Sequence, residues 1–178
     1  LPPSPNYCEA CAEGQYTTAQ NLEVCSTCNI PPEGNVTVSE DCIQRTQIVV
    51  TETLVVRGLL TMDGAIPKII GGGSNRLFKL KHSGSMLTIQ DIILTGGNVS
   101  NNNDCYDIYT WHQDVTHFGG AVFVADRGEF IAHNARIIGN EACSGGGLFF
   151  NNGNIVLNNT VVVENTAKVV GGGIAFFS

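Results

Sequence analysis

The residues in this chain best equipped for chemistry are its seven cysteines. Five come early: Cys8, Cys11, Cys25, Cys28 and Cys42. Cys8-x-x-Cys11 followed by Cys25-x-x-Cys28 is a spacing that can hold zinc, because thiolates paired on short turns converge on one tetrahedral ion. The step of 17 residues from Cys11 to Cys28 recurs from Cys25 to Cys42, however, and a four-ligand site does not need that second step. Disulfides account for the repeat better. The pairing expected is Cys11–Cys25 and Cys28–Cys42, with Cys8 left for a partner upstream. Seven cysteines in 178 residues favour an oxidising compartment. Three N-glycosylation sequons, at Asn35, Asn98 and Asn158, point the same way.

A second concentration of reactive types lies at residues 98–118. It holds Tyr106, Tyr109 and Trp111, the only tryptophan, with His112, Asp114 and His117 close behind. The aromatic rings could stack on sugars or against a neighbouring protein. The two histidines and the aspartate have no diagnostic metal spacing. The plainer reading is that this segment covers the side of the molecule, anchored by a Cys105–Cys143 disulfide. Elsewhere Asp91, His133 and Arg136 sit on strand-like stretches, but no second acid accompanies Asp91. Glycoside hydrolysis needs paired carboxylates roughly 5–10 Å apart. Solvated surface charges are the better account of Asp91 and Arg136, and a satisfied surface or turn residue that of His133. No catalytic constellation, metal site or cofactor is expected.

Repeats must place these residues. Gly119-Gly-Ala-Val-Phe-Val, Gly145-Gly-Gly-Leu-Phe-Phe and Gly171-Gly-Gly-Ile-Ala-Phe recur at a step of 26. Gly128 to Asn140 aligns with Gly153 to Asn165, and Gly84 to Gly96 fits the same frame 44 residues upstream of Gly128. Since 44 is 26 plus 18, one repeat carries an insertion, within residues 98–118. Apolar runs are short and β-branched, bounded by Gly and Asn, with no helical period. Self-similarity at this spacing marks a solenoid, and the strand-like runs make it a β-solenoid. Its stacked columns are expected to read Leu87, Ile131, Val156; Ile93, Ile137, Val162; and Val122, Leu148, Ile174. Gln90, Asn134 and Asn159 form an expected amide ladder. Asn140 and Asn165, replaced by Gly96, mark an expected tight turn, and His133 falls between Ile89 and Asn158.

The segment from Cys8 to Cys28, with Gly14 and Tyr16, resembles the ephrin-receptor-like cysteine-rich module. That resemblance implies a small extracellular spacer. The Gly-Gly runs, with apolar-x-x-Asn at Ile137 to Asn140 and Val162 to Asn165, resemble the repeats of polymorphic outer-membrane proteins. More broadly they are similar to the pectin-lyase-like superfamily over about residues 46–178. Two departures count: Ile or Val stands where those repeats carry Phe, and the terminal membrane barrel of the bacterial members is absent. The resemblance implies a right-handed parallel β-helix.

The fold class expected is therefore all-β. A disulfide-rich module spans residues 1–43, and a parallel β-helix of about five coils spans residues 44–178, truncated at its C-terminal end. A formal charge of −7 argues against nucleic-acid or anionic-membrane partners. No apolar run approaches the roughly 20 residues that span a bilayer. No signal peptide is visible at Leu1, so the start reads as a mature or truncated end. The function expected is a non-enzymatic, secreted or cell-surface structural or adhesive segment of a larger surface or filament protein. Further coils or other subunits would stack on its open end. The alternative is a carbohydrate-binding or polysaccharide-active helix using the aromatic insertion.

Overall fold

The computed structural model describes residues 26–100, 105 and 117–177. Among them every regular element is a β-strand. Gly and Asn punctuate the chain every few residues, so strands are only 2–6 residues long and each must find its partner in another repeat.

All pairing is parallel. A first sheet runs β2 (Gly34–Val38), β5 (Thr53–Gly58), β8 (Met86–Gln90), β11 (Glu129–His133), β15 (Asn154–Asn158). A second runs β1 (Ser26–Thr27), β3 (Cys42–Gln44), β6 (Lys68–Gly71), β9 (Ile93–Thr95), β12 (Arg136–Ile138), β16 (Val161–Val163). A third runs β4 (Ile48–Val50), β7 (Phe78–Leu80), β10 (Val122–Ala125), β14 (Leu148–Asn151), β18 (Ile174–Phe177). A two-stranded sheet joins β13 (Glu141–Ser144) to β17 (Thr166–Val170). From β2 onward the chain visits first, second and third sheets in that rotation, with β13 and β17 added after the second sheet in the later circuits. Parallel neighbours are thus reached by passing through the other sheets rather than through a crossover helix.

The inward columns form the main core. In the third sheet Ile48, Phe78, Val122, Leu148 and Ile174 pair in order, so the expected Val122, Leu148, Ile174 column is observed. The other two expected columns are half right. Ile131 does lie beside Val156, but its upstream partner is Thr88; Leu87 pairs with Phe130, which pairs with Ile155. Ile137 lies beside Val162 and Leu94, while Ile93 faces outward beside Arg136. The cause is one corner. Leu80 to Met86 takes six steps, its counterpart Val124 to Glu129 takes five, and Phe150 to Asn154 takes four. Aligning Gly84 with Gly128 ignored that shortening, and a slip of one residue exchanges the faces of a strand.

The same slip corrects the amide ladder and the His133 column. Gln90, His133 and Asn158 share an outward column, so Gln90 rather than Ile89 precedes His133. Asp91, Asn134 and Asn159 follow them and take φ of 53°, 48° and 48°. Asn159 Nδ2 donates to Asn134 Oδ1 at 2.8 Å, so one rung of the amide ladder is formed, and the position one circuit earlier is held by Asp91 rather than Gln90. At the next corner Gly96 is left-handed as expected, but in the following circuits the left-handed residues are Gly139 and Glu164, one position before the expected Asn140 and Asn165. Asn140 is instead a buried connector. Its Oδ1 accepts from Gly97 N (2.9 Å), and its Nδ2 donates to Leu94 O (3.2 Å) and Asn165 Oδ1 (2.9 Å).

The Gly-Gly runs have two separate causes. Their first glycine, at 119, 145 and 171, has φ of 67°, 60° and 66°. At the second, backbones of successive circuits nearly touch: a Cβ on Gly120 would lie 2.2 Å from Gly146 O, and one on Gly146 would lie 2.4 Å from Gly172 O.

Residues before 44 already take part in this architecture. Strands β1, β2 and β3 pair with strands of the same sheets, and Cys28, Val38 and Cys42 belong to the main core. A buried Cys28–Cys42 disulfide ties the chain around β1 to β3. The expected boundary after residue 43 therefore coincides with no break in pairing between residues 26 and 58.

Candidate functional site

The insertion that follows β9 is built at its base from ordinary strand pairing. Asn98 bridges to Glu141 and Phe118 bridges to Ser144, the two ends of β13. The chain therefore leaves and returns within the width of one strand of the following circuit. Cys105, inside the insertion, is bonded to Cys143 of that strand, with Cα atoms 5.2 Å apart. Tyr106, Tyr109 and Trp111, with His112 and Asp114, lie outside the described residues, as do Cys11 and Cys25.

The exit is closed by a polar cluster that pattern reading did not find. Asn98 Nδ2 donates to Glu141 Oε2 at 3.3 Å, and Asn98 Oδ1 accepts from Ser100 N at 2.8 Å and Ser100 Oγ at 2.9 Å. The Ser100 hydroxyl lies between Asn98 Oδ1 and Glu141 Oε1, and its single proton serves one of these two acceptors at a time. Lys168, one circuit further on, donates its Nζ to Ser100 O at 3.0 Å. On the return side His117 Nδ1 lies 3.2 Å from Val99 O, drawing the two ends of the insertion together. Apart from the Asn98–Ser100 pair, these partners lie 18 to 68 residues apart, so no local pattern announces the cluster.

Beside the return lies a small second core on the outward face of the third sheet: Phe118, Phe123, Ala125, Phe149 and Ala175. Phe118 stacks on Phe149 with centroids 4.5 Å apart, and Phe149 on Phe123 at 5.8 Å. The Arg76 guanidinium, itself 2% exposed, sits 5.0 Å from the Phe123 ring centre. A sequence signal for this second core did exist. Val122-Phe-Val and Leu148-Phe-Phe are apolar without alternation, which marks strands covered on both faces.

The residues weighed for catalysis are scattered. His133 is half-buried on the outward face of the first sheet, and Arg136 is exposed on that of the second. The Asp91 carboxylate accepts from Gln90 Nε2 at 3.1 Å within its turn. Among the described residues no group of three or more His, Cys, Asp or Glu could hold a metal ion. Asp63 has its carboxyl held below the usual range by the Thr61 hydroxyl and the Ala65 N–H. It lies in an exposed turn and its partners are local, so the shift describes the turn. No helix is long and apolar enough to cross a membrane among the described residues. The two buried disulfides accord with an oxidising environment.

What the arrangement offers chemically is a base at which the insertion leaves and rejoins the repeat, locked by a disulfide, a polar cluster and an aromatic stack. No protein-family model matches the chain, and no curated protein or solved structure is significantly similar to it.

Proposed function

We propose that this chain is a segment of a secreted or cell-surface right-handed parallel β-helix of the pectin-lyase-like kind, with a structural or adhesive rather than enzymatic role. The observation that carries this reading is the unbroken rotation of parallel strands through three sheets around an apolar interior. Side chains on those strands serve packing, and the polar ones beyond them serve corners and turns. The reading includes stacking of further coils or other subunits on the edge formed by β15, β16 and β18. Phe176 is exposed there and Ile155, Leu157, Val162 and Ile174 are only half-buried, whereas their upstream partners Phe150, Phe130, Ala132, Ile137 and Leu148 are buried. Surface labelling of intact producing cells with a membrane-impermeant amine reagent tests the location: labelling is expected, and a chain protected until lysis contradicts it. Incubation with a panel of neutral and acidic polysaccharides tests the role. No turnover is expected; turnover abolished by Asp91→Asn or His133→Ala would establish an enzyme instead.

A second reading, glycan binding by the insertion, is favoured by one feature: the segment whose sequence holds Tyr106, Tyr109 and Trp111 is fastened at both ends and through Cys105. Aromatic side chains on a rigid support lose little entropy on binding. A glycan array read with the native chain and with Trp111→Ala decides it. Binding that is indifferent to the substitution removes the reading.

A further inference from the structure

The three sequons are alike in sequence and unlike in surroundings. We propose that Asn35 and Asn158 carry N-glycans and that Asn98 remains an unmodified amide, serving as the clasp that fastens the insertion to the following circuit. The inference rests on the reading of the chain as a secreted protein.

N-glycosylation joins the asparagine Nδ2 to the anomeric carbon of a lipid-linked oligosaccharide. The N–C bond forms as the C–O bond to the lipid diphosphate breaks; Nδ2 gives up one proton and the diphosphate leaves. The product keeps a single N–H and needs free space for a bulky sugar on that nitrogen. Asn35 and Asn158 have that space. Both are exposed and point outward from the first sheet, on its two edge strands β2 and β15.

Asn98 does not. It is half-buried, and its Nδ2 is aimed at the Glu141 carboxylate of the next circuit, 3.3 Å away. Its Oδ1 is taken by the Ser100 amide and hydroxyl, so the sequon hydroxyl is turned inward onto its own asparagine and Glu141. Its backbone is fixed on both sides, Asn98 N donating to Asn75 O at 3.1 Å and Val99 N to Glu141 O at 3.0 Å. A sugar on Nδ2 would occupy the place of the Glu141 carboxylate and release the exit of the insertion.

The test uses the full chain behind a cleavable secretion signal in eukaryotic cells. The secreted protein is enzymatically deglycosylated in heavy-oxygen water, which converts each glycosylated asparagine to a mass-marked aspartate, and its peptides are mapped. Marks are expected at residues 35 and 158 and none at 98. In gel mobility, Asn35→Gln and Asn158→Gln each lose one glycan step and Asn98→Gln loses none. A mark at residue 98 overturns the proposal, and so does a bare Asn35 or Asn158. The added signal brings the chain to the glycosylating machinery whatever its native address, so these outcomes judge the site assignment. Surface labelling of the native producer judges the location separately.

Discussion

At the scale of single residues, two positions of the same type behave oppositely because of where their polar atoms end. Asn140 is buried and joins three circuits through Gly97, Leu94 and Asn165. Asn140→Ala leaves the Gly97 N–H and the Leu94 carbonyl without that partner in a dry corner. Each such loss costs about 1–3 kcal/mol, so a fall of at least about 2 kcal/mol in unfolding free energy is expected from urea denaturation. Asn134 is exposed and left-handed, and its side-chain bond is to another exposed amide. Asn134→Gly keeps the backbone angle accessible and is expected to change stability by no more than about 0.5 kcal/mol in the same experiment. In the Gly-Gly runs the first glycine has a positive φ, and at Gly120 and Gly146 the second leaves no room for a Cβ. A methyl group at Gly120 would meet a backbone carbonyl, which no rotamer can move aside. Gly120→Ala is expected to cost about 3 kcal/mol or more, read as a lowered denaturation midpoint.

At the scale of elements, the insertion and β13 act as one unit. The Cys105–Cys143 bridge closes 38 residues of chain, for which the chain-entropy account gives about 4 kcal/mol as an upper figure. Replacing both cysteines by serine is expected to lower stability by about 2–4 kcal/mol, measured by thermal or denaturant unfolding. The aromatic stack on the outward face of the third sheet is the other fastening. Phe149 stacks on both Phe118 and Phe123, so Phe149→Ala is expected to cost about 3–5 kcal/mol, the loss of a buried ring. A variant losing less than about 1 kcal/mol would show that this cluster is covered without being cohesive.

At the scale of the whole molecule, the strands of each circuit pair only with those of its neighbours, so stability is close to a sum of nearest-neighbour terms. The Lys168–Ser100 bond is a side-chain contact that reaches one circuit further. Strands with partners on both sides, such as β8, β9 and β10, are expected to exchange their amide hydrogens more slowly than β15, β16 and β18, which lie at the ends of their sheets. Native-state hydrogen exchange measures this directly, and uniform protection across all circuits would mean that the chain opens as one block. The columns of inward side chains were legible from sequence wherever a repeat could be aligned on its own strand. Val122, Leu148 and Ile174 are the case in point. The polar cluster at the base of the insertion was not legible, because Asn98, Ser100, Glu141 and Lys168 belong to three stretches that meet only when the circuits close.

Composition and spacing alone determined that this chain forms short parallel strands joined at glycine and asparagine corners, with an insertion between Gly97 and Phe118. Those properties are written in local pattern: β-branched runs, turn residues and a repeat length. Tertiary structure decided which face each strand presents and what each asparagine does. A corner shorter by one residue leaves the local pattern intact yet turns Leu87 from a neighbour of Ile131 into a neighbour of Phe130. The energy that selects between those two registers is the burial of a whole column, and a column exists only once the circuits lie side by side.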